Sequence, residues 1–222
     1  MEIKIPCGEK CVPVRLPAEQ VAWVLEPAER PALPDVPAAL RAALAQPIGS
    51  PPLAQLAARA PGEVVVLVDD GTRSTPQTLL LPVLLDELNR AGVADERIVL
   101  LIALGTHRPM DAPECEARFG REATRRVRIE NLDARNPDAF VDLGESPGGV
   151  PIFVARRLCE AGLSLAVGNI VPHMFTGFSG GAKMVQPGVC SPLTTGRTHL
   201  MAAPLVQRTL GQIENPVRSE LD

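Results

Sequence analysis

Lysine is nearly absent from this 222-residue chain. It occurs at Lys4, Lys10 and Lys183 only, against 19 arginines. Histidine is as scarce, at His107, His173 and His199. So Arg-rich a composition reflects a bias of the source. A lysine kept far along the chain against that bias marks a position where an amine is wanted. Long apolar runs are missing too. No stretch reaches the ~18 residues that a membrane span needs. The first residues, MEIKIPCGEK, lack the basic-then-apolar pattern of a signal peptide. A cytoplasmic protein with no membrane partner is the expectation. There is no long basic or acidic run, and the net charge is -4 with both signs mixed. That argues against nucleic acid or an anionic membrane surface as the partner. The five cysteines are an odd number and mostly far apart, as expected of cytosolic thiols. Cys7 and Cys11 form the one close pair, without the two further ligands that a zinc site needs.

What is present is a chain 45% apolar, enough for a sizeable core. Residues 1–25 read as short alternating strands. Residues 26–62 are rich in proline and alanine, with short helices near 36–45 and 52–59. We take 1–62 as an irregular lead-in packed on the same domain, and 63–222 as an α/β cofactor-binding domain. Val64–Val68 is a β-branched run, as in a strand buried on both faces. Thr75 and Pro76 predict the start of a helix that runs to about Arg90. Ile98–Leu104 is a second buried strand, and Asp111 with Glu114 predicts a capping box for a helix ending near Gly120. Val127–Ile129 and Phe140–Leu143 are candidate short strands, 152–161 a candidate helix, and Leu163–Ile170 a third strong strand. The remainder reads as helical, with breaks at Pro192, Pro204 and Pro216.

Strand and helix alternate, so the predicted fold class is α/β, with a mainly parallel sheet and flanking helices. In such sheets ligands bind beyond the carboxyl ends of the strands. Three glycine-bearing polar loops each follow a buried strand: DDGTR, GTHRP and VPHMFTGFSGGAK. They are expected to converge on one edge. The first offers carboxylates, backbone N–H groups and a guanidinium ahead of a helix, which suits a phosphate or carboxylate. It could equally be a capping turn in which Asp70 and Thr75 satisfy backbone groups. The second places His107 directly after a strand. The third resembles a phosphate loop but departs from the Walker pattern, since Ala182 precedes Lys183 and Met184 follows it. Ser179, Gly180 and Gly181 can still present N–H groups to an anion. His199, sixteen residues after Lys183, would be a competent ligand for nickel, zinc or copper.

Taken together and in order, DDGTR, GTHRPM, PHMFTGFSGGAK and a later histidine resemble the lactate racemase family, enzymes that use a nickel-pincer nucleotide. The resemblance runs from about Val64 to the end of the chain. It implies a Rossmann-like N-terminal domain and a cofactor joined covalently to Lys183 through a thioamide. It implies His199 as the protein ligand to nickel, and His107 and His173 as acid and base on opposite faces of a 2-hydroxy acid such as lactate. Arg73 would engage the substrate or an anionic cofactor group, with Asp70, Gly71 and Thr72 lining the same pocket. Enzymes that make the cofactor would be partners. The implied chemistry is coherent. The C2 proton of a 2-hydroxy acid is weakly acidic, whereas hydride loss gives a planar 2-keto acid. A base must then take the hydroxyl proton, one for each enantiomer.

Full members of that family carry a second domain of roughly equal size that closes over the pocket. We expect this chain to be a fragment or truncated product lacking it. Two other readings stay open at this point. One is a non-catalytic cofactor or nickel-binding module. The other is a nucleotide-phosphate enzyme built on SGGAK.

Overall fold

The computed structural model describes every residue except Glu9, Pro27 and Glu29. Two compact units are present, Met1–Pro34 and Asp35–Asp222. The first holds an antiparallel hairpin, β1 (Glu2–Cys7) and β2 (Lys10–Arg15), with Ile3 opposite Val14.

The second unit opens with helices α1 (Val36–Ala45) and α2 (Leu53–Arg59), which pack on α3 (Gln77–Arg90). Asp35 caps α1 by accepting from the Ala38 N–H at 2.8 Å. Strand β3 is Val64–Val68 and β4 is Ile98–Ile102. Helices α4 (Ala112–Phe119) and α5 (Arg121–Arg126) lead to β5 (Arg128–Asn131). Then come β6 (Phe140–Glu145), β7 (Pro151–Ala155), α6 (Arg156–Cys159) and β8 (Leu163–Val167). The two-residue strands β9 (Pro172–His173) and β10 (Gly177–Phe178) pair with each other. The chain ends in α7 (Pro192–Ala202), α8 (Val206–Thr209) and α9 (Pro216–Ser219).

The main sheet is parallel, in the order β5-β4-β3-β8. Every residue of β3 and β4 is at most 1% exposed. Alternation divides them between two cores. Val64, Val66 and Val68 pack with Leu81, Leu85 and Leu88 of α3. Val65, Leu67 and Leu101 face Phe140, Ala155 and Val189 on the other side. A parallel strand buried on both faces reads as a continuous apolar run for this reason. Because β3 lies between β4 and β8, the loops leaving all three strands at their carboxyl ends meet at one edge.

The structure corrects several sequence expectations. Residues 152–161 are not one helix. Pro151–Ala155 pairs antiparallel with β6, and only Arg156–Cys159 is helical. The Ile152-Phe153-Val154 run fits a pleated, half-buried surface better than a helix. The pair β6/β7 stands outside the parallel sheet. Thr75 does not cap α3, whose first helical residue is Gln77. Its hydroxyl donates to the buried Asp69 carboxylate instead. The strands expected to reach Leu104 and Ile170 end at Ile102 and Val167. The capping box at Asp111 and Glu114 is present, with the Glu114 N–H donating to Asp111 at 2.8 Å. Pro192 and Pro216 begin helices rather than break them, behind capping side chains of Ser191 and Asn215. The five cysteines are all free. Among the described residues no helix is long and apolar enough to cross a membrane.

Candidate active site

Two adjacent carboxylates end β3, and they divide the work. Asp69 is 5% exposed and accepts from Thr75, from Gln77 Nε2 at 3.0 Å and from the Arg118 guanidinium. It anchors the turn. Asp70 is equally buried and faces the cleft. One of its oxygens accepts from the Thr72 N–H at 3.0 Å and the Thr72 hydroxyl at 2.5 Å. The other lies 2.5 Å from His107 Nδ1. Burial pushes the Asp70 carboxyl up, but the bonds from Thr72 and His107 outweigh it, and the group sits below its ordinary value. An ionised carboxylate can only accept, so His107 Nδ1 carries the proton. Neutral His107 therefore keeps its lone pair on Nε2, the atom a general base uses.

His173 follows β8 and has the opposite proton arrangement. Its Nδ1 accepts from the Phe175 N–H at 3.1 Å and the Thr176 N–H at 3.4 Å. Both donors are backbone groups that cannot reverse. A neutral His173 must then hold its proton on Nε2, which is 3.0 Å from Lys183 Nζ. Two donors cannot share one contact, so this geometry disfavours a charged Lys183 amine. Electrostatics point the same way. Burial, then the fields of Arg73 and Arg218, lower Lys183 from 10.5 to about 8. Burial, then Lys183, Arg73 and His199, lower His173 from 6.5 to about 4.

The loop that carries Lys183 is held by small residues and one hydroxyl. Ser179 Oγ donates to Asn169 O at 2.5 Å and accepts from the Val171 N–H at 2.9 Å. The Ser179 N–H goes to Val171 O. Ser179 thus staples the loop, and the Gly180 and Gly181 amides have no hydrogen-bond partner among the described residues. Gly180 has φ +70°, and Gly188 passes so close to Met184 that a Cβ would lie 2.1 Å from its carbonyl oxygen. Gly188 O also accepts from the Gly105 N–H at 2.9 Å, tying this loop to the one that bears His107.

His199 lies on α7 and donates from Nδ1 to the Thr195 carbonyl at 2.7 Å. Its Nε2 is left as a free lone pair, the arrangement seen when a backbone carbonyl orients a metal-binding imidazole. The Phe175 ring stands edge-on to both His173 and His199, with centroids 5.8 and 5.3 Å away. Among the described residues no three His, Cys, Asp or Glu side chains form a metal cage. A metal held here would bring most of its ligands with it.

These groups line one open cleft. His107, His173, His199, Lys183, Arg73, Asp70, Ser179 and Gly180 all border it. Gly71 and Thr72 do not. They line a neighbouring cleft beyond Asp70 and His107, while Gly181 faces a third, beside Arg218. Arg73 is exposed and makes no ion pair among the described residues, so its charge is available to an anion. Sequence reasoning missed Asn169, Phe175 and Thr195. Asn169 donates to Ser74 Oγ at 2.7 Å and joins two of the loops. It lies two residues after the observed end of β8, inside the longer strand expected from the sequence. Nothing in the spacing marked Phe175 or Thr195.

Comparison with known proteins places this arrangement. The family described as the lactate racemase N-terminal domain matches residues 7–209. The lactate racemase of Thermoanaerobacterium thermosaccharolyticum is 32% identical over 194 residues, 85% of this chain and 44% of that protein. The lactate racemase of Lactiplantibacillus plantarum is 35% identical over 156 residues, 70% of this chain and 36% of that protein. The solved structure of the T. thermosaccharolyticum lactate racemase apoprotein superposes with a TM-score of 0.83 at 30% identity. It covers all of this chain and 52% of its own. A Thermotoga maritima crystal structure superposes at 0.67 and 30% identity, over 76% of this chain and 44% of its own. The chain therefore spans about half the length of the relatives it matches, or less.

Proposed function

This chain belongs to the lactate racemase N-terminal domain family, and on that premise we propose that it is the cofactor-binding part of a racemase or epimerase of a 2-hydroxy acid. The observation that carries the proposal is the meeting of three histidines, each with its own hydrogen-bond partner, and one half-buried lysine on one cleft. The residues fit a nickel-pincer nucleotide. Lys183 offers an amine held below its ordinary pKa for covalent attachment, and His199 Nε2 offers a single lone pair where the described residues form no complete protein cage. Gly180 offers an amide donor for an anionic group. When bound, the cofactor supplies a hydride acceptor and donor.

The chain's own residues do the rest. Arg73 binds the substrate carboxylate. His107, held by Asp70, takes the 2-hydroxyl proton of one enantiomer through Nε2 and returns it. His173 serves the other enantiomer from its own loop. Attachment of the cofactor removes the Lys183 lone pair as a partner, which leaves the His173 Nε2 proton free to be given to the substrate oxygen. Lactate or a related acid is the substrate, and enzymes that make the cofactor are the partners in a cytoplasmic setting.

Chiral chromatography of several 2-hydroxy acids tests this reading, with chain co-expressed with the cofactor-making enzymes. Interconversion that needs both His107 and His173 is expected. Undiminished racemisation by either histidine-to-alanine variant would overturn the two-base scheme.

A further inference from the structure

We propose that the unloaded chain is a carbonyl-capturing site, in which Lys183 condenses with 2-oxo acids to form an imine. The inference does not depend on nickel. It concerns the amine before any cofactor is attached.

Three observations lead to it. The hydrogen-bond geometry disfavours a charged Lys183 amine, because His173 Nδ1 accepts from two backbone donors and Nε2–H then points at Nζ, 3.0 Å away. A lysine made neutral in a sheltered pocket is a nucleophile toward carbonyls. The amine borders an open cleft rather than a sealed core, so a small carbonyl compound can reach it. Arg73, without an ion-pair partner among the described residues, borders the same cleft. A cation beside a nucleophilic amine selects a carbonyl that carries an adjacent carboxylate.

The charged groups around the amine are Arg73 on the β3 loop, Arg218 on α9, and His173 on its own loop. Arg218 is engaged by Asp222 at 2.8 Å, so of these two arginines Arg73 is the one without an ion pair among the described residues. Both arginines disfavour an ammonium and neither can take its proton, which leaves His173 as the group that handles protons at Nζ.

The step balances without a redox partner. The Nζ lone pair attacks the carbonyl carbon, a C–N bond forms, and the C=O π pair moves to oxygen. His173 gives its Nε2 proton to that oxygen and takes one from the new ammonium. The carbinolamine then loses its hydroxyl as water, and the remaining N–H proton leaves to give the imine. Hydrolysis reverses each stage.

The chain's scarcity of lysine makes the test clean. Its amines are Lys183, the exposed Lys4 and Lys10, and the N-terminus of Met1. Chain made in a host without the cofactor-making enzymes is mixed with pyruvate near neutral pH, reduced with borohydride, and mapped by peptide mass spectrometry. The expected result is a reduced pyruvate adduct at Lys183 well ahead of the other amines. His173→Gln should slow its formation by roughly tenfold or more, as loss of a proton-transfer group does. Arg73→Ala should raise the pyruvate concentration needed by about tenfold, as loss of a charge-assisted contact does, and should weaken capture of pyruvate more than capture of the neutral probe acetaldehyde. Thermal melts confirm that each variant is folded, and the wild-type map stands without them. Labelling of Lys4 and Lys10 as fast as Lys183 would overturn the proposal. So would a Lys183 adduct indifferent to both Arg73 and His173. A cofactor loading experiment can fail while this one succeeds, so the two readings fall separately.

Discussion

Replacing Lys183 with methionine should make the unloaded chain more stable at neutral pH. Burial first, and then Arg73 and Arg218, lower the folded-state amine from 10.5 to about 8. Between those values the unfolded chain binds more protons than the folded chain, so stability rises with pH from about 8 to about 10.5. Below about pH 8 the fold carries the whole penalty. Each pH unit is worth about 1.4 kcal/mol, so a depression of this size amounts to about 3 kcal/mol. The cleft is open and the side chain partly exposed, which screens the charge and brings the figure to about 2 kcal/mol. The 3.0 Å contact with His173 is lost in the variant, at a cost of roughly 1 kcal/mol. Methionine keeps the length and apolar stem. The net expectation is a gain of about 1 kcal/mol at pH 7 and a deficit of similar size near pH 10.5. Urea unfolding followed by circular dichroism at both values measures it. A variant less stable than wild type at pH 7, or a difference that does not change with pH, would refute the reasoning.

Asp70→Asn keeps an acceptor for Thr72 but presents an amide to His107 Nδ1. The imidazole should switch to the Nε2–H tautomer, visible in nitrogen-proton NMR, and racemisation by loaded enzyme should fall about 10²- to 10⁴-fold; an unchanged tautomer would contradict this. Gly188→Ala should be poorly folded or strongly destabilised, because its Cβ would lie 2.1 Å from Met184 O and 2.8 Å from the Ala103 Cβ. A wild-type melting temperature would show that the loop is not constrained as described. Asp111→Ala removes the capping box of α4 and should cost about 1 kcal/mol in urea unfolding without changing the His107 tautomer. His199→Ala should lose nickel retention while keeping the covalent adduct on Lys183, which metal analysis and peptide mapping read separately.

The buried strands β3 and β4 were legible because five consecutive apolar residues leave no face for water. The meeting of the three loops was legible as well, since it follows from strand order at the carboxyl edge of a parallel sheet. Strand β7 was not, because Ile152-Phe153-Val154 runs straight into Arg156–Cys159 without a glycine or proline between them. The cap of α3 was misread for an energetic reason. A hydroxyl that caps a helix can equally satisfy a buried carboxylate, and Asp69 is the more demanding partner. The separation of Gly71 and Thr72 from Arg73 was also hidden, since three neighbours in sequence face two clefts. Least legible were the protons. Composition singled out three histidines and a lysine, but only geometry shows that a carboxylate holds His107, backbone amides hold His173, and a carbonyl holds His199.

The central claim is that Lys183 and His199 hold a nickel-bearing nucleotide. Intact-mass and metal analysis of the chain co-expressed with the cofactor-making enzymes tests it most directly. The account predicts one nickel per chain and a mass increment that maps to Lys183, both lost in Lys183→Ala and both kept in His107→Ala. An unmodified Lys183 with no bound nickel would contradict it.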